Sequence, residues 1–235
     1  MLHRSIFAIF ISGLVALIAS RTAEACSCMR QQYQTLFCRA DVVVKGTINS
    51  KSYIFAEPAI TNNDIFSSAS YSSTAGDSFY QPLPVIQPRY PLYVTFNMTL
   101  REIFKGKEEL VDLRTVTVST AASGAMCGIP HLDEEETYLI TGFVWDGEIN
   151  IGLCSSWVEP FKSLTTFQKR GLRKLYKTTC NDCKVCTPYD MNQECTQHVG
   201  CWATESSSCF MRNAICMRSS KGKCSWKKSK YIAQC

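Results

Sequence analysis

The stretch Tyr93-Val94-Thr95-Phe96-Asn97-Met98-Thr99-Leu100 alternates, with Val94, Phe96, Met98 and Leu100 on one side and polar or aromatic neighbours on the other. Successive side chains of an extended backbone point to opposite faces, so a period of two is the mark of a half-buried strand. Outward from this stretch the signal recurs. Segments 42–48, 92–104, 115–119, 137–144 and 148–153 are short, rich in β-branched and aromatic residues, and separated by turn chemistry such as Asp146-Gly147. Five strands of this kind suit a small closed barrel. Helical periodicity appears around residues 31–38 and over 164–176, where Leu164, Phe167, Leu172 and Leu175 fall near one face and Lys169, Arg170, Arg173 and Lys174 near the other. The expectation is a mainly β fold, a five-stranded barrel with flanking helices.

Composition narrows the chemistry. The chain has 235 residues, 14 cysteines and 3 histidines. His3 lies in a leader, and His131 and His198 alone give little material for a His-rich metal site or a His-based catalytic centre. A hydrophobic fraction of 46% with 19% charged residues suits a folded chain. The formal charge of +5 is spread over both signs and gives no reason to expect nucleic-acid binding. Residues 1–25 read as a secretory signal, with Arg4 as the basic region, an apolar run over 6–18 and the cleavage site Ala23-Glu24-Ala25. That run is too short for an ordinary membrane span, and nothing later reaches the roughly 20 apolar residues a span needs. A secreted, extracellular protein starting at Cys26 is expected. A lipid-modified Cys26 is the rival reading of Ala25-Cys26, and Glu24 and the many cysteines speak against it. In an oxidising compartment this even count means disulfides.

The cysteines divide the chain. Cys26, Cys28, Cys38, Cys127, Cys154 and Cys180 are widely spaced, whereas eight crowd into the last 53 positions. Wide bridges staple a core, and crowded ones replace a core that a short segment cannot build. The expected organisation is a signal peptide 1–25, a first domain 26–180 and a disulfide-rich domain 181–235. Between the first two strands, about 55–91, lie five prolines and many serines. A segment of this length without structure is either a binding loop or a mobile surface insertion, and both readings stay open. Asn97-Met98-Thr99 is the chain's single N-x-S/T sequon, a candidate glycan site if Asn97 faces outward.

Cys26-Ser27-Cys28 carries the chemistry. The α-amino group and carbonyl of one residue can close a five-membered chelate on zinc, which accepts nitrogen and oxygen ligands, and a catalytic zinc keeps a position open. A terminus fixed by two disulfides could present that chelate to a zinc enzyme. The plainer reading is that Cys26 and Cys28 only tether the terminus.

Cys26-Ser27-Cys28 is followed by Gln34-Thr35-Leu36-Phe37-Cys38-Arg39-Ala40-Asp41-Val42-Val43-Val44-Lys45-Gly46. Then come Ile103-Phe104-Lys105-Gly106, Cys127-Gly128, Tyr138-Leu139-Ile140-Thr141-Gly142, Leu153-Cys154, Thr165-Thr166-Phe167-Gln168-Lys169, Cys201-Trp202 and Cys224-Ser225-Trp226. In this order the motifs resemble the tissue inhibitors of metalloproteinases, over nearly all of the chain after residue 25 except the insertion. The resemblance implies a netrin-like, OB-fold-like inhibitory domain followed by the small disulfide-rich one. It implies a non-enzymatic inhibitor with no cofactor of its own, in which Cys26 coordinates the zinc of a bound protease. Ser27 enters the specificity pocket, and Cys28, Met29, Ser123, Gly124, Ala125 and Met126 complete the protease-binding ridge. The implied partners are matrix metalloproteinases and adamalysin-type enzymes. The implied bridges are Cys26–Cys127, Cys28–Cys154 and Cys38–Cys180, one of 15 pairings that six cysteines allow. Cys183–Cys224, Cys186–Cys195 and Cys201–Cys216 follow on the same pattern, with Cys209–Cys235 left as an additional pair. The chain departs from the family at Met29-Arg30-Gln31-Gln32-Tyr33, where prolines and a histidine are common, and in its two extra C-terminal cysteines.

Several features admit two readings. Cys180, Cys183 and Cys186 form overlapping C-x-x-C steps that match no ordinary zinc set and read as bridges. Asp133-Glu134-Glu135-Glu136 lacks a calcium-loop pattern and reads as a solvated turn. Arg212, Arg218, Lys221, Lys223, Lys227, Lys228 and Lys230 form either a patch for sulfated glycosaminoglycans or matrix, or a solvated basic surface. The alternative to inhibition is a netrin-like matrix-binding module with no protease target.

Overall fold

The computed structural model describes residues 26–56, 90–110, 113–187, 195–203 and 207–234. The expected signal segment, most of the insertion and Cys235 lie outside the described residues. Helix α1 (Tyr33–Arg39) precedes six strands: β1 (Val42–Phe55), β2 (Pro91–Lys105), β3 (Thr115–Ala121), β4 (Thr137–Trp145), β5 (Glu148–Asn150) and β6 (Val158–Pro160). The order β1-β2-β3-β5-β4 closes on itself through a β1–β4 pairing, so five strands form a hydrogen-bonded ring, and β6 pairs with β4. All contacts in the ring are antiparallel except β3–β5. The mainly β expectation with a ring of five strands and a few helices is met.

The alternation that reads as a strand also fills the ring. Val94, Phe96 and Met98 are fully buried and meet Val42, Val44, Ile48, Val118, Ile140 and Ile149 inside. Each such side chain contributes about 1.5–3 kcal/mol on burial. Val43 and Leu139 point the other way, onto a second apolar cluster with Phe37, Trp157, Leu172, Tyr176 and Ile215. Thus β1 and β4 are apolar on both faces at one end, and the run Val42-Val43-Val44 is a doubly covered strand.

Boundaries shift from the sequence reading at most elements, and three of the shifts show their cause. β1 continues to Phe55 instead of stopping at residue 48, because its polar half pairs with β2 beyond a register shift between Ile48 and Ser50. β5 ends at Asn150, not 153, as the chain turns to let the Leu153 amide donate to the Cys127 carbonyl at 2.8 Å. The helical stretch expected over 164–176 starts later. Thr165 caps α2 (Thr166–Arg170) in a reciprocal capping box with Gln168, and the helix continues as a π segment, Gly171–Leu175, into α3 (Tyr176–Thr179).

Lys105 ties the ring to α1. Its ammonium donates to the carbonyls of Phe37, Cys38 and Ala40 at 3.3, 2.7 and 2.5 Å, at the negative end of the helix. Burial lowers its pKa, opposed by nearby Asp41. Lys105→Met leaves these carbonyls without their donor and is expected to destabilise the protein by about 2 kcal/mol. A lower urea midpoint at unchanged m-value is the expected readout; an unchanged midpoint contradicts it.

The C-terminal part holds a parallel pair, β7 (Lys184–Cys186) with β8 (Gly200–Trp202), helix α4 (Ser208–Asn213) and an antiparallel hairpin, β9 (Ala214–Arg218) with β10 (Cys224–Lys228). None of the described bridges links it to residues 26–180; buried contacts do. Buried Gln34 of α1 donates to Thr179 Oγ1 at 3.1 Å and the Cys216 carbonyl at 3.0 Å, and accepts from the Cys216 amide at 2.8 Å. Ile215 of β9 is buried in the cluster outside the ring. Among the described residues no helix is long and apolar enough to cross a membrane.

Candidate functional site

Two bridges build the site. Cys26 is joined to Cys127 and Cys28 to Cys154, with Cα separations of 5.3 and 5.1 Å. They lie side by side, the Cys26 and Cys154 sulfurs 3.7 Å apart. The four sulfurs fall within 4.8 Å of one another, a spacing that would suit a metal. Each is consumed in a disulfide, however, and a disulfide sulfur is not the thiolate that binds zinc. The cluster is a clamp.

The clamp presents two short segments together. On one, Cys26 is buried while Ser27, Met29 and Arg30 are exposed. On the other, Ser123 opens a single 3-10 turn, Gly124–Met126, whose three residues are all exposed. This turn is closed by local bonds. The amides of Met126 and Gly128 donate to the Ser123 carbonyl at 3.1 and 3.0 Å, and Cys127 takes a left-handed φ of 57°. Buried Thr120 anchors its base, accepting from the Ile129 amide at 3.0 Å and donating to the Ile151 carbonyl at 2.9 Å. Met29, Met126 and Leu153, each about half exposed at 51%, 49% and 48%, give the edge an apolar character.

Behind the first segment the support is polar and aromatic. Gln31 donates to the Cys154 carbonyl at 3.2 Å. Tyr33 lies against Trp157 with ring centroids 4.3 Å apart, and Trp157 Nε1 donates to Glu159 at 3.0 Å. Glu159 also accepts from Ser163 and is ion-paired with Arg212. Burial, and next the Glu159 charge, push the Tyr33 phenol above its ordinary pKa, so it is a neutral wall. A groove of about 740 Å³ runs beside the ridge, lined by Ser27, Met29, Tyr33, Leu153, Ser208 and Met211. Leu153 was named from sequence only within the Leu153-Cys154 match, and Met211 was not singled out. Leu153 had a signal, because it adjoins Cys154; Met211 had none.

The ridge residues from Cys26 to Gln31, from Ser123 to Met126 and at Leu153 include no carboxylate and no histidine, and no described cysteine is free. These residues offer main-chain groups, the Ser27 and Ser123 hydroxyls and contact area, without a carboxylate or histidine among them to activate a hydroxyl. The other bridges join Cys38 to Cys180, Cys183 to Cys224, Cys186 to Cys195 and Cys201 to Cys216. Cys209 is disulfide-bonded, and the expected Cys209–Cys235 pair lies outside the described residues with Cys235.

Two basic residues of the C-terminal patch are engaged inward. Arg212 holds Glu159 and the Ser163 carbonyl, and Arg218 donates to the carbonyls of Asp182, His198 and Gly222. Lys221, Lys223, Lys227, Lys228 and Lys230 are exposed. In the acidic turn Asp133, Glu134 and Glu135 are exposed and Glu136 pairs with Lys162.

Residues 24–226 match the family model described as tissue inhibitor of metalloproteinase. The chain is 24% identical over 230 residues to metalloproteinase inhibitor 3 of Scyliorhinus torazame, covering 91% of this chain and 86% of that protein. It is 26% identical over 222 residues to human metalloproteinase inhibitor 2, covering 88% and 83%.

Proposed function

The chain belongs to the tissue inhibitors of metalloproteinases, and from that premise we propose that it is a secreted, non-enzymatic inhibitor of zinc metalloproteinases that acts through the terminus released by cleavage after Ala25. The observation that carries this is the double clamp, which holds exposed Ser27 and Met29 beside the exposed turn Gly124–Met126 with Cys26 between them. The new amine and the carbonyl of Cys26 chelate the catalytic zinc at about 2.0–2.2 Å and take the position of the attacking water. The two segments fill the cleft on either side of the metal. An interface of standard protease–inhibitor size, roughly 1,600 Å² in total, supplies the affinity, and the bridges limit the ordering cost. Matrix metalloproteinases are the proposed targets, with adamalysin-type enzymes as a second class. The inhibitory unit is residues 26–180.

The test is stoichiometric titration of a matrix metalloproteinase catalytic domain with the secreted protein, whose amino terminus is sequenced as Cys26. Activity that persists at equimolar inhibitor overturns the proposal and leaves the matrix-binding module, held by the exposed lysines of β10 and its flanks. Within the proposal, Ser27 enters a confined pocket. Ser27→Arg puts a charge there without a partner and is expected to weaken inhibition about a hundredfold, ~3 kcal/mol, at unchanged thermal stability. Undiminished inhibition by this variant places Ser27 outside the pocket.

A further inference from the structure

We propose that Asn97 carries an N-linked glycan on the outer face of the β1–β2–β3 sheet, and that this face is thereby kept free of protein partners. The sequon Asn97-Met98-Thr99 sits in the middle of β2, a place where a glycan is possible only if the strand's parity is right. Met98 is fully buried in the ring, and Asn97 is exposed. The asparagine is also oriented by its neighbours. Asn49 Nδ2 donates to Asn97 Oδ1 at 2.8 Å and to Thr99 Oγ1 at 2.9 Å, and Thr99 Oγ1 donates back to Asn49 Oδ1 at 3.1 Å. The carbonyl oxygen of the Asn97 amide is thus turned to the neighbouring strand. Its nitrogen, the atom that bears the sugar, is turned away from that bond.

The surroundings fit a sugar better than a protein. Asn97 lies across from Ser50 of β1 and Thr117 of β3, and Thr95 opposite Ser52 and Ser119. These immediate neighbours are short hydroxyl side chains, none of them a carboxylate or an aromatic anchor of the kind that dominates protein interfaces. Two register steps along, Tyr93 lies opposite Ile54, and both are exposed. A glycan on Asn97 reaches over this apolar pair and lowers its tendency to associate, a need that exposed apolar sheet surface generally creates.

The covalent step follows from entry into the secretory pathway, which the proposed function also requires. The Asn97 amide nitrogen attacks the anomeric carbon of a lipid-pyrophosphate-linked oligosaccharide. The C–N glycosidic bond forms, the bond from that carbon to the pyrophosphate oxygen breaks, the amide loses one proton, and the lipid pyrophosphate leaves. No redox change is involved.

The experiment uses the full chain secreted from eukaryotic cells. Peptide-N-glycosidase treatment is expected to lower its apparent mass, and the tryptic peptide is expected to be deamidated at position 97. Thr99→Ala and Asn97→Gln should be secreted at the lower mass, whereas Thr99→Ser, which keeps the sequon, should retain the shift. Native deglycosylation should leave metalloproteinase inhibition within twofold, because the glycan stands on the sheet face and not on the Cys26 ridge. A wild-type protein with no mass shift overturns the proposal. Inhibition altered tenfold by deglycosylation overturns the placement of the glycan away from partners. Inhibition absent both before and after, with the mass shift present, sinks the inhibitor reading alone.

Discussion

One alanine placed ahead of Cys26 is expected to abolish inhibition on the order of a thousandfold, about 4 kcal/mol, while the protein folds and unfolds as before. The extension converts the α-amine into an amide, which has no lone pair for zinc, and its bulk occupies the space of the metal. Among the described residues no hydrogen bond is made by that nitrogen: the clamp is made by sulfurs, and the first main-chain bonds that fix the helix begin at Leu36, whose amide donates to the Gln32 carbonyl. Acetylation of the amine in the cleaved protein should act in the same way. The same chemistry sets a pH dependence. A free α-amine has a reference pKa of about 7.7–8.0, and its protonated form cannot ligate, so affinity should fall by about tenfold for each unit below that range. Measuring inhibition constants for the native, extended and acetylated proteins at two pH values decides the point. Equal constants for all three mean that binding does not pass through the terminus.

The elements legible in the sequence were those with an apolar period or an unbroken apolar run. β2 alternates because one face packs inside the ring and the other meets water, and its apolar residues lie where their period places them. The outer half of β1 had no such pattern. Asn49, Ser50 and Ser52 are exposed, on a stretch where backbone pairing with β2 makes the strand and burial of its own side chains does not. β6 is short and contains Pro160, so only its three partners on β4 define it. The C-terminal pairs are held by bridges around a small cluster of cysteines, which leaves hydrophobic periodicity nothing to report. At the site, Cys26-Ser27-Cys28 stood out from the residues themselves, whereas Ser123 to Met126 and the partner cysteines entered only through the family resemblance. The segments that meet there are 101 and 126 residues apart in sequence and come together only when the ring closes. Gln34 and Glu159 were silent for a related reason. Each is a buried polar residue whose partners, Cys216 and Arg212, come from the distant C-terminal part, and no local spacing encodes such a pair.

The ridge half that carries Ser123 to Met126 should fail through a single methyl group at Gly128. A Cβ there would stand 1.9 Å from the Ala121 carbonyl oxygen, 2.6 Å from its carbon and 3.0 Å from the Ser123 oxygen. All three are backbone atoms, so no rotamer change relieves the contact. Ala121 ends β3 and is paired with Tyr93, which leaves the loop as the part that must move. Gly128→Ala is therefore expected to cost on the order of 3–5 kcal/mol in stability. The protein that still folds should inhibit about a hundredfold less well, the loss that an ångström of misplacement produces where geometry at a reacting centre decides the rate. Gly124 supplies the control four residues earlier on the same loop. Its Cβ would meet nothing within 4 Å, so Gly124→Ala should change stability by less than about 0.5 kcal/mol. If both variants keep the wild-type melting temperature and inhibition, the loop is not held by its close approach to the end of β3. If both lose inhibition while only Gly128→Ala loses stability, the turn is a contact surface in which even a methyl group at its tip obstructs the protease. The expected result, a loss confined to Gly128→Ala, identifies the backbone packing of Gly128 against Ala121 as what aims this half of the ridge.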